Sequence, residues 1–198
     1  MRIYLDVCCL SRPFDDLSQD RVRLETDAIY SIVSQAKERD WMLVGSDVVA
    51  YEIEDNPNRK KRAKVRRFAS ALQFRVSFSN VIVDRALELE RLGFRYIDAL
   101  HTASAEVGEA DVLLTTDDQF VRKGIRHDTV SASLSQSTIR KKGLDALLKE
   151  LGPVGMAKFL QDDEGGEGDY TKDRVQWQKG KTVKDFVREF KKKKRKSS

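Results

Sequence analysis

Cysteine, histidine and long apolar runs are all scarce in this 198-residue chain, which has two of each of those residue types. Cys8 and Cys9 are sequence neighbours. On a strand such neighbours point to opposite faces, which argues against a mutual disulfide or a shared metal site and makes them reduced core thiols. His101 and His127 are the only histidines, so no set with zinc-ligand spacing exists. No apolar stretch approaches the ~18 residues of a membrane span, and MRIYLDVCCL, with Arg2 and Asp6 around three apolar residues, is not a signal-peptide core. The expectation is a soluble, cytoplasmic protein with no membrane partner.

What is present is charge. Charged residues make up 35% and hydrophobic residues 40% of the chain, enough apolar material for a core inside a highly charged shell. The length suits one domain of ~100–150 residues with an appendage. The net charge of +5 hides an asymmetry: residues 1–130 hold 20 Lys+Arg against 22 Asp+Glu, a balance of −2, whereas 131–198 hold 17 against 10, a balance of +7. The two parts should attract each other, or the second should attract something anionic.

Apolar spacing predicts a strand at 2–7, a helix at 19–39, a strand at 41–45 and a helix begun by Ser46 that stops near Asn56-Pro57. A basic helix over 59–75 follows, then a short strand at 76–78 or 81–83, helices at 84–92 and 96–107, a strand at 111–115 and a helix from 117. Alternating strands and helices, with short and continuously apolar strands, predict an α/β domain with a parallel sheet covered on both faces. From about residue 131 the pattern changes to a polar linker and amphipathic helices at 138–151, 154–161 and 182–190. An acidic loop lies at 162–169, a turn of helix at 171–177, and a disordered basic tail ends the chain. This extension has too few apolar residues for a core of its own and needs a surface to lie on.

In a parallel sheet the ligand site lies beyond the C-terminal strand ends. Asp6 and Asp117 follow two such ends. Glu52 and Asp98 sit on helices among apolar neighbours, where a carboxylate is costly unless paired or bound to a cation. Each has a plainer alternative: a turn aspartate for Asp6, a helix N-cap for Asp117 with Asp118 as rival, and solvent-facing helix acids for Glu52 and Asp98. Converging, the four would suit Mg2+ or Mn2+, which prefer oxygen ligands and can activate water against a phosphodiester.

MRIYLDVCCL, SDVVAYEIE, YIDALHTASA and LLTTDDQF, in that order, resemble the four acidic motifs of PIN domains over residues 1–130, and are most similar to the VapC-like toxins of bacterial toxin–antitoxin pairs. The resemblance implies a PIN-like three-layer α/β/α fold and an endoribonuclease dependent on magnesium or manganese. Catalytic, metal-binding acids at Asp6, Glu52, Asp98 and Asp117 are implied as well, with Thr115 and Asp118 supporting them. The family often has Thr or Ser after the first acid; Val7 stands there in this chain.

The run RKKRAKVRR supplies Arg59, Lys60, Lys61, Arg62, Lys64, Arg66 and Arg67, either a solvated helix face or an RNA-binding surface beside the metal site. Within the extension 131–198, IRKKGLDALLKELGPVGMAKFLQ and GDYTKDRVQW are similar to small antitoxin-like proteins, which implies that the helices at 138–151 and 182–190 dock on the catalytic domain in cis or on a neighbouring copy and hinder the carboxylate site. A homodimer is expected from the resemblance alone. The competing functions are an inactive or inhibited PIN-like regulatory module and a PIN nuclease of RNA processing or of DNA.

Overall fold

The computed structural model describes residues 1–126 and 168–196. The boundary expected at 130/131, the linker, the helices expected at 138–151 and 154–161, and His127 lie outside the described residues. Among the described residues, no helix is long and apolar enough to cross a membrane.

Four short strands form the centre: β1 (Arg2–Leu5), β2 (Met42–Ser46), β3 (Phe74–Val76) and β4 (Val112–Leu114). They form one sheet in the order β3-β2-β1-β4, with every pairing parallel. Parallel neighbours need helical crossovers, and helices flank the sheet as the α/β reading expects. The helices of the first domain are α1 (Val7–Ser11), α2 (Asp20–Glu38), α3 (Asp47–Asp55), α4 (Arg59–Phe68), α5 (Asn80–Arg91), α6 (Tyr96–Val107) and α7 (Asp118–Arg126). Beyond the break come α8 (Tyr170–Gln178) and α9 (Val183–Lys196).

The strand order reverses at β1, whose neighbours are β2 on one side and β4 on the other. Such a switch point leaves a crevice at the carboxyl ends of the strands. The register pairs Leu5 with Leu114, and the Asp6 amide donates to the Leu114 carbonyl at 3.1 Å, so Asp6 and Thr115 leave the sheet at the same level. Ser46 ends β2 and caps α3, accepting from the Val49 amide at 3.2 Å, which sets the helix carrying Glu52 over the same edge.

Four expectations are corrected. Cys8 and Cys9 lie in α1 rather than on a strand, both free and buried. The basic helix stops at Phe68, whose ring meets Phe14 and Tyr30 edge-on, and β3 begins at Phe74, earlier than either predicted position. Only Val76 of β3 is buried, so the strand carries no apolar run. It is held by pairing with β2, where Gly45 leaves room for Leu72: a Cβ on Gly45 would lie 2.6 Å from Leu72 Cδ1. The basic tail expected to be disordered continues α9 as helix through Lys196.

The last helix has the apolar stripe its sequence predicts. Val183 and Phe186 are buried, the Phe186 ring centre lies 4.6 Å from that of Tyr51, and Phe190 lies 4.5 Å from Phe78. Helix α9 thereby rests on the first domain. Polar contacts fix its start and middle: the Val183 amide donates to Glu90 at 3.0 Å and the Tyr51 hydroxyl donates to Glu189 at 2.5 Å.

Candidate functional site

The four predicted acids come together. Asp6 leaves β1, Asp117 precedes α7, Glu52 lies on α3 and Asp98 on the first turn of α6; all four are buried. At their centre lies the guanidinium of Arg174, from α8, fully buried. Its Nη1 is 3.3 Å from Asp6 and 3.2 Å from Glu52, and its Nη2 is 3.2 Å from both Asp98 and Asp117. One cation thus touches four carboxylates.

Helix α8 reaches the site with a polar face. Tyr170, Arg174 and Gln178 stand four residues apart, on one side of the helix, and all three are buried. The Tyr170 hydroxyl donates to Glu52 Oε1 at 3.0 Å and the Gln178 amide donates to the same oxygen at 2.8 Å. A buried stripe of Tyr, Arg and Gln has no hydrophobic period, so sequence patterning predicts a turn of helix here and no role for it.

His101 is a second residue that patterning missed. Its Nε2 lies 2.7 Å from Glu52 Oε2 and 3.4 Å from Asp6 Oδ1, and its Nδ1 lies 2.8 Å from the Tyr4 hydroxyl, which also bonds Ser46. Asp6, Glu52 and His101 each offer a ligand atom within 4.8 Å of the others, a set that could hold a metal ion. The signal was present in YIDALHTASA: His101 follows Asp98 by three residues on a helix buried from Tyr96 to Ala105.

Asp6 keeps the support that Val7 could not give. Its Oδ2 accepts from the Thr115 hydroxyl at 2.8 Å and from the Cys8 thiol at 2.9 Å, so a sulfhydryl one position later stands near the acid. Asp117 both caps a helix and joins the cluster. Its Oδ1 caps α7, accepting from the amides of Gln119 and Phe120 at 2.9 and 3.2 Å, while its Oδ2 meets Arg174 and Arg95. Asp118 points elsewhere, to Arg21 at 2.9 Å, and is not part of the cluster.

Burial raises the cost of every charge here, and the partners decide which survive. Despite burial, Arg174 and His101 hold Asp6 well below the usual carboxylate range, and Glu52 and Asp117 are lowered with Arg174 as the leading counter-charge. Asp98 goes the other way: burial outweighs Arg174 and Arg95 and pushes it up to about 6. Burial pulls His101 down, but Asp6 and Glu52 more than offset it and leave it raised.

The sign for Asp98 is that of a raised acid: folding binds its proton more tightly, so its contribution is present below the unfolded value near 4 and lost as pH rises towards 6. In chelator, the stability of Asp98→Asn relative to the parent should therefore climb between about pH 4 and pH 6 and then level off. Urea unfolding across that range measures it, and a flat difference would contradict the assignment.

The basic run divides. Arg59, Lys60, Lys64, Arg66 and Arg67 are exposed, and Arg62 is half-buried against the carbonyls of Glu54 and Asn56. Lys61 turns inward, paired with Asp15 and lying 5.8 Å from the Tyr170 ring centre, so it does not belong to the exposed surface.

The family model for the PIN domain matches residues 3–125, which spans the sheet and all four acids. Comparison with curated proteins gives no match. Comparison with solved structures gives none either.

Proposed function

This chain belongs to the PIN domain family, and on that premise we propose that it is a metal-dependent endoribonuclease of the VapC-like toxin kind, restrained by its own C-terminal segment. PIN domains are generally nucleases that use divalent metal ions. The observation that carries the reading is Arg174, within 3.3 Å of four buried carboxylates contributed by four separate parts of the fold.

Four clustered acids repel one another and need a cation. Asp6, Glu52, Asp98 and Asp117 are the residues that would hold Mg2+ or Mn2+, with His101 as an adjacent nitrogen donor; such an ion supplies an activated water and neutralises charge developing on a phosphodiester. Their oxygen-rich donor set fits those hard cations. Thr115 and Cys8 orient Asp6, and Arg95 orients Asp98 and Asp117.

In this reading residues 1–130 are the nuclease domain and 131–198 an antitoxin-like restraint, acting in cis or from a neighbouring copy. Arg174 places a positive charge where the cation belongs, and α9 ties the segment down through Val183 and Phe186. The exposed residues Arg59, Lys60, Lys64, Arg66 and Arg67, with Arg62, form the surface that attracts the RNA backbone.

The test uses the full chain carrying Arg174→Ala and a labelled single-stranded RNA beside DNA of the same sequence. RNA should be cut internally with Mn2+ or Mg2+ and left whole in chelator, with the DNA intact. Equal cleavage of the DNA would point to a DNA nuclease, and no cleavage of either to a regulatory module.

A further inference from the structure

Arg12 is nearly as deeply buried as Arg174 and lies outside the carboxylate cluster. Within the first domain it is held by Asp15 at 2.9 Å, Glu25 at 2.8 Å and the Thr116 hydroxyl at 2.9 Å. Thr116 immediately precedes Asp117, so the guanidinium sits beside the site. Its remaining contacts come from the docked segment: Asp169 Oδ1 lies 2.8 Å from Nη1, and the Thr171 hydroxyl 2.6 Å from Nη2. Tyr170, between them in sequence, donates its amide to Asp15 at 3.0 Å, and its ring lies near the ammonium of Lys61.

A carboxylate and a hydroxyl set against the two terminal nitrogens of a guanidinium offer it one oxygen each. That is also what a phosphate offers, and arginine is suited to bind it in the same two-pronged way. The segment therefore covers two places at once: Arg174 lies among the acids, while Asp169 and Thr171 lie against Arg12.

We propose that Arg12, with Lys61 beside it, is a phosphate subsite for the nucleic-acid backbone, and that the segment closes it by imitating a phosphate with Asp169 and Thr171. When the segment leaves, Nη1 and Nη2 each lose one partner while Asp15, Glu25 and Thr116 keep the guanidinium in place. A backbone phosphate bound there sets the adjoining phosphodiester next to the four carboxylates. Arg12 is thus a positioning residue for the substrate, and the start of α8 with its cap residue Asp169 is a substrate mimic.

The proposal rests on the nuclease reading for the identity of the polyanion, but its test reads binding, not cleavage. Fluorescence anisotropy of a labelled 12-nucleotide single-stranded RNA is measured in chelator over a salt series with the full chain carrying Arg174→Ala. Adding Asp169→Asn, which keeps a side-chain oxygen to cap α8 but removes the competing charge, should tighten binding at least threefold. Adding Arg12→Gln instead should weaken binding at least fivefold and reduce the slope of log affinity against log salt by about 0.7, the loss of one phosphate contact on a single strand; Arg12→Lys should keep the slope.

Unchanged affinity with Asp169→Asn, or an unchanged slope with Arg12→Gln in protein of parental circular dichroism, overturns the proposal. A merely structural Arg12 would lower the melting temperature without moving the slope. If Arg12→Gln does not fold, the Asp169→Asn comparison decides alone, since it leaves the first domain untouched. Failure of Arg174→Ala to cleave would instead count against the nuclease reading.

Discussion

Replacing Arg174 by alanine in the full chain is expected to raise metal-dependent RNA cleavage on the order of 100-fold over the parent protein. Removing one partner from a buried ionic cluster costs about 3–5 kcal/mol, because the remaining charges stay behind uncompensated. Here the loss falls on the docked state of the segment, since Asp6, Glu52, Asp98 and Asp117 lose their shared counter-ion only when the segment is in place. About 3 kcal/mol is a factor of roughly 100 in the open fraction. The segment is not lost altogether, because α9 remains anchored by Phe186 and Val183 and keeps the local concentration of α8 high. Arg174→Lys should give a smaller rise, as an ammonium cannot direct two separate nitrogens at two pairs of acids. Initial rates per folded molecule, with Mn2+ in excess, measure both. Equal rates for parent and Arg174→Ala would show that the segment does not limit access.

In that released protein, Asp6→Asn should remove cleavage by about a thousandfold or more. The substitution keeps the shape of a side chain held between Thr115 and Cys8 on one oxygen and facing Arg174 and His101 with the other. What it removes is the charge that would bind the cation. A loss of about 4 kcal/mol in transition-state stabilisation corresponds to that factor. Asp118→Asn is the matched control: its carboxylate pairs with Arg21 at the surface, away from the cluster, and its rate should stay within about twofold. A similar fall for both variants would mean that general charge, not the site, controls the rate.

How legible this arrangement was in the sequence depends on the kind of signal each part carries. The parallel α/β architecture could be read because β1, β2 and β4 are short apolar runs and Ser46 is a strong helix start. β3 could be placed only to within two residues, since Phe74 and Arg75 are exposed and the strand exists through its pairing with β2. The acids were recognisable from their place at strand ends and in apolar helix surroundings, although only the fold brings Asp6 and Asp98 to one guanidinium.

The residues that oppose them were not recognisable. Lys61 looks like one member of an exposed basic run until its pairing with Asp15 turns it inward. Arg12 looks like a turn residue before Pro13, and Arg174 like one more charge on a polar helix. Periodicity detects apolar faces, and the face that α8 buries is polar because the surface it meets is acidic. The charge balance of −2 against +7 and the antitoxin-like resemblance of the extension were the traces of this in the sequence. It reported complementarity between the two parts without saying which basic residue enters the site.

The proposed function requires that the four carboxylates form a divalent-cation centre which Arg174 occupies in place of the ion. Calorimetric titration of Mn2+ into the parent chain, Arg174→Ala, and Arg174→Ala with Asp6→Asn measures it directly. Saturable binding by Arg174→Ala is expected at concentrations where the parent and the double variant take up none. Equal uptake by the parent and Arg174→Ala, or no uptake by Arg174→Ala, would contradict it.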